Sequence, residues 1–286
     1  MVAMVKFTQP DTFDWINMLV YGPFGSGKTI LSATAQLHEE TKETLFIDAE
    51  GGSKSIRDQG IKLDIFRINT FPAFNKLYEF CRTHSKLRDM YLAVDPKSSE
   101  GTDLQSKLIK LESWIKEIPE DKIKKPTLYR TVVIDSLTEV QKYAMYHILG
   151  IDINKVALDE DVTTPQIQHW GKGAEIIRML VRAFRDIDMH TVFTTLDQTV
   201  KDESDGSISV KPSLPGKLPD EVCGFLDIVG YLHVKQDPKT KELVRVLQVQ
   251  PIGKYHAKSR YKVLGNYVEE PTIPKILNLI KGEEKK

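Results

Sequence analysis

The sequence is poor in cysteine, and its two thiols lie too far apart to define a site. Cys81 and Cys223 have no cysteine or histidine at a metal-binding spacing, which argues against a zinc site. The chain also has no His-Glu-x-x-His pattern and no Gly-x-Ser-x-Gly elbow. Zinc-dependent and serine hydrolase chemistry are therefore not indicated, and two unpaired thiols favour a reduced, cytoplasmic protein.

Net charge and long apolar runs are absent as well. Forty basic and forty acidic side chains cancel, so the overall field neither favours nor disfavours nucleic acid. No uncharged apolar stretch reaches the ~18 residues of a membrane span, and residues 1–12 lack an apolar run of signal length. With 286 residues, 41% of them hydrophobic, we expect one globular domain over residues 1–286 and no membrane association.

What is present is an alternation of short apolar runs and helical patterns. Strands are predicted at residues 16–21, 44–47, 65–68, 131–134 and 191–196, and helices at 72–86 and 174–188. This order predicts an α/β fold with a mostly parallel central sheet and helices on both faces. Ligands of such sheets bind outside the carboxyl ends of the strands.

Three additions extend this core, which spans about residues 14–235. Residues 95–128 are rich in Lys, Glu and Ser but carry leucines at helical spacing, so we predict a helical insertion there. The polar, proline-containing stretch 201–219 is predicted to be a long loop. A β-hairpin from 228–234 and 243–249, then a helix at 273–280, form a C-terminal extension over about 236–282.

The strongest motif is Gly-Pro-Phe-Gly-Ser-Gly-Lys-Thr at residues 22–29, between a strand and a helix. Backbone N–H groups of such a loop bind phosphate oxygens, Lys28 reaches the β and γ phosphates, and Thr29 ligates Mg²⁺. ATP and Mg²⁺ are therefore the predicted cofactors. The predicted nucleotide-binding residues are Gly22, Pro23, Phe24, Gly25, Ser26, Gly27, Lys28, Thr29 and Ile30.

Acidic residues follow two of the predicted strands. Asp135, after Val-Val-Ile, is the second candidate Mg²⁺ ligand, although a strand-terminal aspartate can also cap the next helix. Hydrolysis requires a carboxylate that activates water, and Glu50 is our choice. Asp48 is the alternative, because residues two apart on a strand point the same way. A solvated acidic turn before Gly51 is the remaining interpretation.

These residues resemble the RecA family of recombination ATPases. Phe-Ile-Asp-Ala-Glu at 46–50 is similar to the stretch that carries that family's catalytic glutamate. Residues 132–136 are similar to the family's Walker B strand, and residues 194–198 are similar to the end of its γ-phosphate-sensing strand. Val-Tyr-Gly at 20–22 and Pro-Ser-Leu-Pro-Gly-Lys at 212–217 look most like compact phage ATPases of the Sak-four type. The resemblance covers about residues 14–265 and implies a RecA-like P-loop NTPase core.

The resemblance implies three further site residues. Gln198 corresponds to the γ-phosphate sensor, although the family has Asn-Gln where this chain has Asp197-Gln198, and an ordinary loop amide is the alternative. Lys258 and Arg260 resemble a Lys-x-Arg element that completes the site of a neighbouring subunit in ring- and filament-forming relatives. The alternative for these two cations is a solvated basic strand edge. A homo-oligomer is expected.

The resemblance also implies binding of single-stranded DNA through two segments, residues 158–172 and 201–217. The first contains His169 and Trp170 beside Lys172, and the second contains three lysines, so stacking and phosphate contacts are available. Both segments also carry three acids each, which weakens their positive charge. Trp170 is a base-stacking candidate, with an interior or interface anchor as its alternative.

The expected function is a DNA-stimulated ATPase in phage recombination or single-strand annealing, in the host cytoplasm, with an annealing or recombination protein as a further partner. One alternative is a nonenzymatic ATP-dependent module that recruits such a protein. Another is a P-loop kinase, whose lid would be arginine-rich. Residues 100–125 contain lysines but no arginine.

Overall fold

A computed structural model describes residues 15–157, 163–237 and 240–283. The strands in chain order are β1 (Asn17–Tyr21), β2 (Thr44–Asp48), β3 (Asp64–Arg67), β4 (Thr131–Asp135), β5 (His190–Thr195), β6 (Asp197–Lys201), β7 (Ile208–Pro212), β8 (Ile228–Gln236), β9 (Leu243–Gln248), β10 (Lys258–Ser259) and β11 (Tyr267–Glu269). The α-helices are α1 (Lys28–Ala33), α2 (Lys54–Arg57), α3 (Phe71–Leu92), α4 (Ser99–Lys116), α5 (Leu137–Ile148), α6 (Ile167–Arg185), α7 (Leu218–Phe225) and α8 (Ile273–Lys281).

Nine strands form the central sheet, in the order β11-β9-β8-β1-β5-β4-β2-β3, with β10 added beside β8. All pairings from β3 through β2, β4, β5 and β1 to β8 are parallel, whereas β9, β10 and β11 are antiparallel to their neighbours. The hairpin β8–β9 thus joins the sheet through β8 and carries the antiparallel edge. The predicted RecA-like α/β class, with its parallel core and C-terminal hairpin, is confirmed.

Helices cover both faces of this sheet, which explains why the central strands are buried along their whole length. In β1, Leu19 and Tyr21 pack into one hydrophobic cluster with α3, α5, α6 and α7. Met18 and Val20 pack into another cluster on the opposite face with α1, α2 and α8. Successive strand residues alternate between the faces, so the four central strands β1, β2, β4 and β5 bury every side chain. The rigid sheet holds the carboxyl ends of its parallel strands at one edge.

The helix expected within residues 95–128 is α4, which packs mainly on α3. Leu104 and Leu108 of α4 are buried against Tyr91 at the end of α3. Ser98 begins α4 by accepting a hydrogen bond from the Gly101 amide at 2.9 Å. The leucine spacing read from the sequence therefore marks a helix–helix contact.

The prediction of a long loop over residues 201–219 is wrong for much of that range. Strands β6 and β7 pair antiparallel in a separate two-stranded sheet, and α7 follows. The hairpin is stabilised from outside, because the Val210 amide donates to the Lys254 carbonyl and the His256 amide donates to the Val210 carbonyl. Val210 is also buried, so a tertiary contact orders a stretch that is locally polar.

Helix α6 begins at Ile167, earlier than the residue 174 predicted from periodicity. Residues 167–172 of the first candidate DNA segment are thus helical, while residues 158–162 lie outside the described part of the chain. No helix within the described ranges is long and apolar enough to cross a membrane.

Candidate nucleotide-binding site

The loop of residues 22–29 connects the end of β1 to the start of α1, as the motif requires. Two of its glycines are needed for steric reasons. A Cβ atom on Gly22 would lie 2.2 Å from the Leu232 carbonyl oxygen of β8, and Gly27 has a φ of 98°. The loop therefore contacts β8 closely at Gly22, and it turns at Gly27 through a left-handed backbone conformation.

Lys28 lies inside this loop. Its side-chain ammonium donates hydrogen bonds to the carbonyls of Gly22 and Pro23, both at 2.9 Å. Burial lowers the pKa of Lys28, while the nearby carboxylates of Glu50, Asp135 and Asp197 oppose that shift. The site therefore concentrates one buried cation among acids at the strand ends.

Asp135 ends β4 beside the P-loop helix. One of its carboxylate oxygens accepts a hydrogen bond from the Thr29 hydroxyl at 2.8 Å, and the other accepts from the Thr194 hydroxyl of β5. Burial raises the pKa of Asp135 to about 6, against the opposing effect of these two hydroxyl donors. The hydroxyl and the carboxylate predicted to share a Mg²⁺ ion are thus adjacent.

The donor set around Asp135 fits Mg²⁺. This cation is typically bound by one or two protein oxygens together with substrate phosphates and water, and a closed protein cage is not needed. Thr29 and Asp135 supply the two oxygens. Within the described ranges no group of three or more histidine, cysteine or acidic side chains is arranged to hold a metal.

Asp48 and Glu50 are used differently, although the sequence suggested that they point the same way. The chain turns after β2, and the Asp48 carboxylate accepts hydrogen bonds from the amides of Gly51 at 2.7 Å, Gly52 at 3.2 Å and Ser53 at 3.3 Å. Asp48 is only 1% exposed. Glu50 is exposed beyond the turn and lines the P-loop cleft.

That cleft has a volume of about 240 Å³ and includes an arginine that sequence reasoning missed. Arg245, on β9, faces Lys28, Thr29 and Glu50 across the cleft. No local pattern marks this residue, since it is one charged side chain on an amphipathic hairpin strand. Its position becomes apparent only when β9 is placed beside β8 and β8 beside β1.

Gln198 lies on β6, just beyond the end of β5. Its side-chain amide donates hydrogen bonds to the Pro212 and Leu214 carbonyls at 3.1 and 3.0 Å. The neighbouring Asp197 is close enough to raise the pKa of Lys28. The side-chain amide of Gln198, which was expected to sense phosphate, is therefore hydrogen-bonded to the segment that ends β7 and follows it.

Lys258 lies level with the middle of β1, and Arg260 lies level with its start, at the edge of the sheet opposite the P-loop. Lys258 pairs with Val229 near the start of β8, and its ammonium donates to the Cys223, Gly224 and Leu226 carbonyls that end α7. Arg260 forms an ion pair with Asp227 at 2.9 Å and keeps 55% of its side chain exposed.

Trp170 lies in the first turn of α6 and is 47% exposed. It is therefore a surface side chain of this protomer and not part of its core. In the second candidate DNA segment, Lys211 forms an ion pair with Asp220 at 3.1 Å. At Lys211, at least one carboxylate thus offsets the positive charge of this segment.

Comparisons with known proteins identify the family of this chain. No match was found among curated proteins. Among solved structures, the RadB recombinase is similar at 15% identity, with 90% of this chain and 86% of that chain covered and a TM-score of 0.38. A KaiC-like protein of Pyrococcus horikoshii OT3 is similar at 15% identity, with 90% of each chain covered and a TM-score of 0.36. The profile of the AAA domain matches residues 15–261, a range that includes the P-loop, Glu50 and Asp135. The chain belongs to the AAA-domain family.

Proposed function

We propose that the protein hydrolyses ATP at the P-loop cleft, with Glu50 as the residue that orients and deprotonates the attacking water. The observation that carries this proposal is the difference in environment between Asp48, the last residue of β2, and Glu50, which follows β2. The carboxylate of Asp48 is buried and hydrogen-bonded to three backbone amides, whereas that of Glu50 is exposed in the cleft. A general base needs a carboxylate that water can reach.

The other residues of the cleft have roles that follow from their chemistry. Lys28 supplies a cation for the β and γ phosphates, and the loop amides bind phosphate oxygens. Mg²⁺, held by Thr29 and Asp135, would neutralise charge on the same phosphates. The Thr194 hydroxyl fixes the Asp135 carboxylate through its second oxygen, and so it orients the metal ligand.

Gln198 is proposed as the link between the γ phosphate and the β6–β7 hairpin. Its amide is hydrogen-bonded to the Pro212 and Leu214 carbonyls, so a shift of Gln198 towards phosphate would pull on the segment between β7 and α7. Residues 201–217, the second candidate DNA segment, include this hairpin. Nucleotide state would thereby alter the DNA-facing surface.

Arg260 and Lys258 are proposed to act on the nucleotide of a neighbouring subunit in a homo-oligomer. The P-loop of the same subunit is out of reach for Arg260, because Arg260 lies beside Asp227, which is hydrogen-bonded to Asn17 at the start of β1, while the P-loop follows Tyr21 at its end. The four residue steps from Asn17 to Tyr21 span roughly 13 Å at ~3.3 Å per residue. Arg260 is the better candidate for the finger, since its side chain is half exposed and bound by a single carboxylate.

Single-stranded DNA is the proposed polymer, with phage recombination or annealing as the process. Supporting features are the exposed Trp170 on α6 and a cleft of about 360 Å³ between the start of α3 and the end of α5. That cleft contains Phe71, Tyr143, Tyr146 and Asn154, and so it combines aromatic rings with a side-chain amide. Stacking on such rings binds unpaired bases without sequence preference.

An ATPase assay with and without single-stranded DNA, repeated over a range of protein concentrations, tests the proposal. We expect turnover that DNA stimulates and that rises per subunit with protein concentration, as a shared site requires. Lys28→Ala protein provides the background rate. Turnover no higher than that background would refute the ATPase, and turnover indifferent to DNA would refute the polymer. Turnover per subunit that does not change with concentration in a monomeric preparation would refute the finger in trans.

A further inference from the structure

Arg245 reaches the P-loop from the C-terminal hairpin. A Cβ atom built on Gly27 would lie 2.8 Å from Nε and 3.2 Å from Cδ of Arg245, so the arginine side chain packs directly over the last glycine before Lys28. The same side chain lines the cleft that contains Thr29 and Glu50. A cation from β9, which lies two strands away from β1 in the sheet, is thereby added to the phosphate-binding loop.

The backbone of Arg245 is held firmly in this position. Its amide donates to the Glu270 carboxylate at 2.8 Å, and the Glu270 amide donates to the Arg245 carbonyl at 2.8 Å. The Glu270 carboxylate therefore binds the backbone amide of Arg245. In the part of the chain that the structure describes, no carboxylate forms an ion pair with the Arg245 guanidinium.

The surroundings favour an anionic ligand between two cations. Lys28 and Arg245 line one cleft of about 240 Å³, and their like charges repel each other unless an anion is placed between them. A guanidinium forms paired hydrogen bonds with phosphate oxygens, which suits it to a polyphosphate chain. Arg245 is exposed, so ligand binding would not have to break a buried network.

We propose that Arg245 is a cis-acting nucleotide-binding residue that contacts the phosphate chain of a nucleoside di- or triphosphate in the P-loop of its own subunit. This inference rests on the proposed function, namely that a nucleotide binds in this cleft. Arg245 differs from Arg260, which lies at the other edge of the sheet. The two arginines therefore serve two different nucleotides. Contact through Arg245 also couples nucleotide occupancy to the β8–β9 hairpin.

Calorimetric titration of ATP, ADP and inorganic triphosphate into Arg245→Ala protein tests the proposal, with triphosphate as a probe that has no base. We expect all three affinities to fall by about tenfold, the factor that one charge-assisted hydrogen bond typically contributes. Arg245→Lys should restore part of the loss, because it keeps the charge but not the paired donors. The loss should be the same in dilute, monomeric protein, as a contact within one subunit requires.

Lys235→Ala is the matched control. Lys235 is a cation on the same hairpin, but its ammonium forms an ion pair with Glu269 at 2.7 Å. The Lys235→Ala substitution should therefore leave the affinities for ATP, ADP and triphosphate unchanged. Affinities of Arg245→Ala within twofold of the wild type would overturn the proposal, and so would an unchanged affinity for triphosphate. If the wild type itself binds no better than Lys28→Ala, the proposed nucleotide binding has failed. That result is distinguishable from a failure confined to Arg245.

Discussion

The separate roles of Asp48 and Glu50 can be tested by removing one charge at a time. Glu50→Gln and Asp48→Asn are nearly isosteric changes, two residues apart in the chain. If Glu50 is the water-activating base and Asp48 is the residue that closes the turn, the first variant should lose turnover and the second should lose stability. Both effects can be measured on the same two purified proteins.

The contacts set the expected magnitudes. An asparagine oxygen can still accept from Gly51 and Gly52, but its NH₂ group would face the Ser53 amide and Arg67, whose Nε lies 3.7 Å from the Asp48 carboxylate. One buried hydrogen bond to a charged acceptor is lost and donors face donors, which should cost about 2–3 kcal/mol of unfolding free energy. Glu50 is exposed, so Glu50→Gln should change stability by less than about 0.5 kcal/mol.

Urea unfolding and steady-state ATPase rates together decide the matter. For Glu50→Gln we expect native stability, near-normal ATP affinity and a turnover reduced by about 10²-fold or more, as removal of a general base produces. For Asp48→Asn we expect a lowered urea midpoint, with turnover recovered in protein that remains folded. The reasoning is refuted if Asp48→Asn is fully stable and yet loses more turnover than Glu50→Gln.

Four other outcomes can be checked with nucleotide-binding, ATPase and unfolding assays. Lys28→Ala should abolish measurable nucleotide binding, and retained ATP affinity would contradict the P-loop assignment. Arg260→Ala should lose turnover in an oligomer and recover part of it when mixed with Glu50→Gln subunits, which keep Arg260. Lys258→Ala should in addition lower the unfolding free energy by about 1 kcal/mol, because its ammonium no longer caps the carbonyls that end α7; equal stability of the Lys258→Ala and Arg260→Ala variants would count against this cap. Burial lowers the pKa of His84 from 6.5 to about 4, so His84 takes up a proton in the unfolded chain before it does so in the folded protein as pH falls. The free energy of unfolding should therefore decline by about 2 kcal/mol from pH 7 to pH 5 because of His84. A His84→Gln variant whose stability changes with pH as steeply as that of the wild type would disprove this explanation.

The sequence alone determined the features that depend on a few consecutive residues. The P-loop was identified because glycines, a lysine and a threonine at one spacing between a strand and a helix have one established use. Asp135 was identified because a β-branched run ends at it, and the carboxyl ends of parallel strands meet at one edge. The α/β class followed from alternating elements for the same reason: each signal is local and repeated.

Local patterns failed where a distant segment supplies the partner. Residues 201–219 appeared to be a loop because their side chains are polar, and the β6–β7 hairpin forms because segment 254–256 pairs with Val210. The start of α6 was placed too late for a simpler reason. Exposed residues such as Ile167, at 91% exposure, add no helical periodicity to read.

The remaining features of the site were decided by the tertiary structure alone. The sequence favours Glu50 but leaves Asp48 as an alternative, and the turn that folds three amides onto Asp48 gives the two carboxylates different surroundings. Arg245 carries no motif, and it reaches Gly27 because β8 carries β9 to the P-loop side of the sheet. Arg260 resembles a finger in the sequence, but its edge of the sheet excludes its own P-loop. A residue's type is local, whereas its neighbours depend on how the whole chain packs.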